Sequence, residues 1–209
     1  MEQVADPTAE KEKGRIKLPL NCEAEYFPNF LTQSESSEIF DYLCQNYDFS
    51  GRTVTTSDGN SYKRDVGKYI FADPELTDFD HLIEVLGPRA AWPSPLEMVK
   101  ERLESLLSRR FNVCLCIYYD HGEVSAPYHV DMPEFGPTSF ITVISLGAER
   151  EFGFRRQGDH SDEYRLAIEE GSLLTMGEHC QERYEHCVFP DPGSRNPRIS
   201  LSYRPYGWD

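Results

Sequence analysis

Beyond Phe111 the chain changes texture, and that change constrains the fold more than any other feature. Runs at 113–119, 139–146, 151–155, 163–167, 172–176, 185–189 and 198–203 are short, β-forming and separated by turn residues. Runs at that spacing predict antiparallel strands closing into a sandwich or barrel. Helical segments do not alternate with them, so a doubly wound parallel sheet is not expected.

The first half reads differently. Residues 34–47 carry Ile39, Phe40, Leu43 and Cys44 on a helical period, and Thr32 or Ser34 can cap that helix. Residues 95–111 put Leu96, Val99, Leu103, Leu106 and Leu107 on one face, with Pro95 in the first turn. A short strand and turn is expected at 25–31, a strand at 66–72, and a loop over the Gly/Ser/Thr/Asp-rich stretch 50–63. The expected class is mainly β with flanking helices (α+β).

Residues 1–18 are polar and charge-balanced and predict a flexible tail. The remainder, 19–209, is expected to form one domain, with helices in 19–110 and the β core in 111–209. Thirty-six acidic residues oppose 21 basic ones, for a formal net charge of −15. A global field of that sign excludes a generic polyanion binder, because nonspecific nucleic-acid affinity rests on Lys and Arg. The sequence contains no long apolar run, so neither a secretory leader nor a membrane span is expected. Six cysteines form no CxxC pair and are expected as reduced thiols. The expectation is an intracellular, cytoplasmic monomer, with the nucleus a further location in a eukaryote.

Three features of the β-rich half carry chemistry. In His129-Val130-Asp131, extended backbone directs an imidazole and a carboxylate to one side. His186 follows near a later strand. Two histidines and a carboxylate on one face of a metal leave open positions, as in the facial triad of non-haem Fe(II) oxygenases. Arg198 and Arg204 bracket the last strand at an even spacing, so both guanidiniums share a face and can grip a dicarboxylate. A competing zinc reading uses His179, Cys180, His186 and Cys187, but it lacks the paired spacing of structural zinc sites.

From about Trp92 to Tyr203 the sequence resembles the AlkB family of Fe(II)/2-oxoglutarate-dependent dioxygenases. The matching text is Phe111-Asn112 ahead of a strand ending in Tyr119, then His129-x-Asp131. Next come the run from Ile144 to Arg155 and Gly171-Ser172-Leu173-Leu174-Thr175-Met176. Gln181, Tyr184-x-His186 and the arginine-flanked strand Arg198 to Arg204 complete it. Upstream, Lys63-Arg64 and Tyr69 stand where the family carries substrate-lid residues. The resemblance implies a double-stranded β-helix (jelly-roll) core with a lid. It implies Fe(II) held by His129, Asp131 and His186, with 2-oxoglutarate and O2 as cosubstrates. Arg198 and Tyr119 would bind the distal carboxylate of 2-oxoglutarate, and Ser200 and Arg204 would lie nearby. The implied reaction is oxidation of a C–H bond as 2-oxoglutarate becomes succinate; an N-methyl group would leave as formaldehyde.

Two positions depart from the family. Ile117 stands where an asparagine usually bonds the cosubstrate. Met132-Pro133-Glu134 replaces the acidic residues that often follow HxD and read the base. The substrate candidates are therefore Tyr69 as a stacking platform, with Met132 and Glu134 beside the metal. The leading expectation is oxidative N-demethylation of alkylated nucleobases in DNA or RNA. The alternatives are the same iron site acting on a protein side chain or small metabolite, and a non-catalytic module that keeps the fold. The charge narrows the first reading to one question: whether Lys63, Arg64, Lys68, Arg155 and Arg156 converge on the mouth of the site.

Overall fold

In a computed structural model describing residues 14–51, 53–55, 57–64, 66–77 and 87–207, the β-rich half forms two packed sheets, and four strands from the first half, expected to hold the helices, extend the larger one. The larger runs, in spatial order, β1 (Ile16–Lys17), β2 (Ala24–Phe27), β12 (Leu173–Met176), β9 (Ile141–Gly147), β14 (Arg198–Arg204), β7 (Val113–Tyr119), β5 (Gly67–Ala72) and β6 (Arg89–Ala91). The smaller runs β11 (Asp159–Ile168), β10 (Arg150–Arg156), β13 (Tyr184–Val188) and β8 (Ala126–His129). Their pairings are antiparallel, apart from a parallel edge pair of β5 and β6. This is the jelly-roll core with flanking helices.

Both faces of the large sheet are covered. Helices α1 (Gln33–Asn46) and α3 (Ser94–Leu107) pack on the outer face, where Ile39, Leu43, Leu96, Val99 and Leu103 meet Cys114, Cys116, Ile144, Ile199, Leu201 and Tyr203. Between the sheets, Ile141, Val143, Leu174 and Met176 meet Phe152, Phe154, Tyr184 and Val188. Thr32, not Ser34, caps α1. Its hydroxyl accepts from the Glu35 N–H while the Glu35 carboxylate accepts from the Thr32 N–H, a capping box. Helix α3 stops at Leu107, short of the expected 111, because Ser108 turns left-handed at φ 53°.

Four expectations need correction. The stretch 50–63 is not simply loop: β3 (Thr53–Thr55) pairs with β4 (Ser61–Lys63), and the turn-forming residues occupy only the tip. The expected tail is too long. Residues 1–13 lie outside the described residues, but β1 already pairs with β2 and Leu18 is buried in the core. Strand β8 goes unread because Pro127 interrupts its signal; an edge strand tolerates that missing N–H. The short helices α2 (Pro74–Thr77) and α4 (Cys180–Arg183) were likewise not expected.

Asp73, just past β5, ties the helical layer to the sheet. Its carboxylate accepts from Trp92 Nε1 at 2.7 Å, Lys100 Nζ at 2.6 Å and Asn112 Nδ2 at 2.8 Å. Burial would raise its pKa, but bonds from Lys100, Asn112 and Trp92 outweigh it and the net shift is downward. A depressed folded pKa makes the stabilisation complete above the unfolded value, about 3.9, and loses it as pH falls through the folded value. Asp73→Ala is expected to cost about 1–3 kcal/mol at pH 7. In urea titrations the gap to wild type should shrink steadily below about pH 4; a gap independent of pH would contradict this ionic account.

Candidate metal centre

The two candidate histidines come together by strand pairing. His186 on β13 stands directly opposite His129 on β8, and their ring centroids are 4.4 Å apart. Asp131 lies two residues beyond His129, past the end of the strand. Gln181 of α4 orients it: the Asp131 N–H donates to Oε1 at 2.8 Å, and Nε2 donates to Oδ2 at 3.3 Å. Because α4 runs straight into β13, one short segment positions both Asp131 and His186. The three donor atoms lie within 4.8 Å of one another. Among the described residues, no other group of three or more His, Cys, Asp or Glu gathers in this way. The zinc set is not assembled, since His179 pairs with Glu182 and Cys180 faces Cys22.

The protonation states suit a cation. His129 Nδ1 sits 2.8 Å from the Pro127 carbonyl, which can only accept, so Nδ1 carries the proton and Nε2 keeps its lone pair. Burial pulls His186 down to a pKa of about 4 against the opposing pull of Asp131, so its ring is neutral at pH 7. Phe152 stacks against that ring, 5.5 Å between centroids. Burial would raise the Asp131 pKa, but Arg204, His186 and His129 outweigh it and leave the carboxylate ionised. Arg204 Nη2 pairs with Asp131 Oδ1, and His186 Nε2 lies 3.6 Å from Oδ2. Two imidazoles and one carboxylate are the donor set that suits Fe(II).

Along β14 from this cluster lies an unsatisfied cation. Arg198 is wholly buried; Nε donates to Ser145 Oγ at 3.0 Å, but Nη1 and Nη2 have no partner. Tyr119, its cross-strand neighbour, places its ring 5.4 Å from the guanidinium. Burial lowers the Arg198 pKa to about 10, so it stays charged at neutral pH. Burying a charge with two open donors is costly unless an anion completes it. A carboxylate offers two oxygens in the matching geometry. The residues therefore fit both Fe(II) and the carboxylate of 2-oxoglutarate.

A cleft of about 380 Å³ lies between the sheets, lined by His129, Asp131, His186, Tyr119, Ser200 and Arg204 among others. Arg198 does not line it, but its cross-strand neighbour Tyr119 and strand neighbour Ser200 do. Lys63, Arg64 and Lys68 line one side, so the first basic cluster reaches the site. The second does not: neither Arg155 nor Arg156 lines the cleft, and Arg155 is bonded to Glu185 and stacked on Tyr128. Ile117 lines the wall as an apolar group.

Three substrate candidates are not where the sequence reading put them. Tyr69 packs away from the cleft, with Tyr47 at 4.9 Å and Phe71 at 5.3 Å between centroids. Strand alternation explains this, since neighbouring Lys68 takes the cleft face of β5. Met132 is 63% exposed, and its carbonyl accepts from Arg204. Glu134 is largely covered and pairs with Arg204 Nη1 at 3.6 Å, and it does not line the cleft. The two strand arginines do share a face, yet they do not jointly grip one dicarboxylate. Arg204 is committed to Asp131, which leaves the open donors to Arg198.

Sequence reasoning assigned no role to Arg150 or Gln181, although both stood in its motifs. Arg150 is almost fully buried and donates to the Val124 and Phe189 carbonyls, joining the segments that flank β8 and β13. The available signal was a charge opening an apolar strand.

The profile of the 2OG-Fe(II) oxygenase superfamily matches residues 23–204. The chain belongs to this superfamily. Its relatives place it with the AlkB-type members. It is 27% identical over 192 residues to the bovine alpha-ketoglutarate-dependent dioxygenase alkB homolog 3, covering 85% of this chain and 64% of that protein. It is 24% identical to the DNA oxidative demethylase ALKBH2 of Arabidopsis thaliana, covering 96% of this chain and 72% of that protein. The chain thus spans a little under two thirds of the first relative's length. The solved structure of OsALKBH1 superposes with a TM-score of 0.62 over 90% of this chain at 18% identity, a likeness of fold.

Asp131→Ala or His186→Ala is expected to abolish Fe(II) binding in anaerobic calorimetry. Gln181→Ala should weaken it by about 10–100-fold, as loss of an orienting partner does. Equal affinity in wild type and Gln181→Ala would contradict the orienting role. Arg198→Ala should leave Fe(II) binding intact while raising the 2-oxoglutarate requirement by about 10–100-fold.

Proposed function

We propose that this chain is an Fe(II)/2-oxoglutarate-dependent dioxygenase that removes N-methyl groups from alkylated bases in DNA or RNA. The observation that carries the enzymatic part is a His-Asp-His donor cluster lining a cleft whose residue Tyr119 is the cross-strand neighbour of a buried, unsatisfied guanidinium. Bound Fe(II), with 2-oxoglutarate and O2, supplies hydroxylation of a substrate C–H bond coupled to decarboxylation of 2-oxoglutarate to succinate. On an N-methyl group the hydroxymethyl product releases formaldehyde.

The protein's own part is positioning. His129, Asp131 and His186 hold the cation, Gln181 and Arg204 fix the Asp131 carboxylate, and Arg198 with Tyr119 anchors the cosubstrate's distal carboxylate. Phe152, Val143 and Ile117 form an apolar wall that limits water beside the reacting centre. The nucleic-acid part is supported by the convergence of Lys63, Arg64 and Lys68 on this cleft and by the names of the relatives. A second reading, oxidation of a protein side chain or a small metabolite, is favoured by the burial of Tyr69 away from the cleft, which leaves the expected base platform absent.

The deciding experiment is succinate and formaldehyde release across methylated oligonucleotides, methylated peptides and small amines. Turnover is expected with methylated oligonucleotides and should fall at least tenfold in Lys63→Ala/Lys68→Ala, with a reduced salt dependence. Release with peptides or amines alone would establish the second reading. No release with any substrate, despite bound Fe(II) and 2-oxoglutarate, would overturn both.

A further inference from the structure

Cys22 and Cys180 are 158 residues apart in sequence, yet their sulfurs lie 2.7 Å from each other. A disulfide, at about 2.05 Å, is a small closure away. The carriers are already clamped together. Glu23 N donates to the Glu178 carbonyl at 3.0 Å, Gly177 N to the Glu23 carbonyl at 2.6 Å, and Arg183 Nη1 to the Asn21 carbonyl at 2.7 Å. Asn21 N donates to Tyr184 Oη at 2.9 Å. Closing the bond therefore requires side-chain rotation, not backbone travel. Among the described residues no third metal-ligating group joins the pair, so its geometry suits a covalent link and not a cation.

We propose that Cys22 and Cys180 are a redox modification site, closed to a disulfide by a peroxide and reopened by a dithiol. The Cys22 thiolate attacks the peroxide O–O bond and gains a hydroxyl; the hydroxide that leaves takes up the proton the Cys22 thiol gave up and becomes water. The Cys180 sulfur then attacks the Cys22 sulfur, the S–S bond forms, the S–O bond breaks and a second water leaves. In sum, two thiols lose two electrons and two protons while one peroxide becomes two waters. A dithiol reverses this by thiol–disulfide exchange and is itself oxidised.

The two sulfurs have distinct roles. Cys22 is partly exposed and reachable by peroxide, whereas Cys180 is buried. The Cys180 thiol donates to Cys22, and this bond, with the Arg183 charge, favours the Cys22 thiolate over the opposing effect of burial. Cys22 is thus the attacking thiol and Cys180 the resolving one. Cys180 opens α4 and directly precedes Gln181, which orients Asp131. The crosslink would fasten that turn to the segment between β1 and β2.

The test treats the full reduced chain with one equivalent of hydrogen peroxide in chelator, then maps peptides by mass without reduction. The expected product is a Cys22–Cys180 peptide lighter by two hydrogens, reversible by dithiothreitol. The oxidised chain should melt several degrees higher, since the closed loop restricts the unfolded state. Cys180→Ser should lose both effects and accumulate a Cys22 sulfenic acid that dimedone traps. Cys44→Ser, at a separate exposed thiol, should keep both. Wild-type oxidation spread over all six cysteines, or a Cys22–Cys180 link that forms only in urea, would overturn the proposal. This outcome is independent of the iron chemistry, because the assay contains no iron.

Discussion

Strand β14 is buried along its whole length, and the rest of the structure answers that constraint. Its alternate residues Ile199, Leu201 and Tyr203 point into the helix-covered layer, where burial is favourable. The others, Arg198, Ser200, Ser202 and Arg204, point toward the second sheet, where burial is costly unless each polar group finds a partner. Ser145 and Asp131 meet part of that need. The nitrogens of Arg198 that remain open define where an anion belongs. One strand thus builds the helix-facing core and the floor of the cleft with a two-residue period.

The same burial decides the chemistry of the cluster opposite. A low-dielectric setting keeps His186 neutral, while Arg204 keeps Asp131 ionised despite burial. Desolvation and pairing therefore act in opposite senses on neighbouring groups and leave a donor set ready for a divalent cation. The joint between the sheets is short: α4 supplies Gln181 to one ligand and continues into the strand that carries another. Two hydrogen bonds through Gln181 join that turn to Asp131.

The net charge of −15 and the basic wall of the cleft act over different distances. Screening limits exposed charges to about 8–10 Å at physiological salt. An approaching anion therefore feels Lys63, Arg64, Lys68 and Arg204 once at the mouth, and the global field chiefly before that. Burial, with help from Arg64 and Arg204 and against Glu134, already pulls the Lys68 pKa down, as expected for cations crowded around one cleft.

The sequence by itself determined the strands of the second half other than β8, both long helices, the candidate cluster of His129, Asp131 and His186, and the shared face of Arg198 and Arg204. Each of these rests on local periodicity or on short motifs read in their order along the chain. It could not show that Tyr69 turns its ring away from the cleft, because alternation says which residues share a face but not which face meets the other sheet. Nor could it separate the duties of the two arginines, pair Glu134 with Arg204, or bring Cys22 to Cys180. Those outcomes depend on pairings between segments far apart in sequence, and the packing of one sheet on the other decides them.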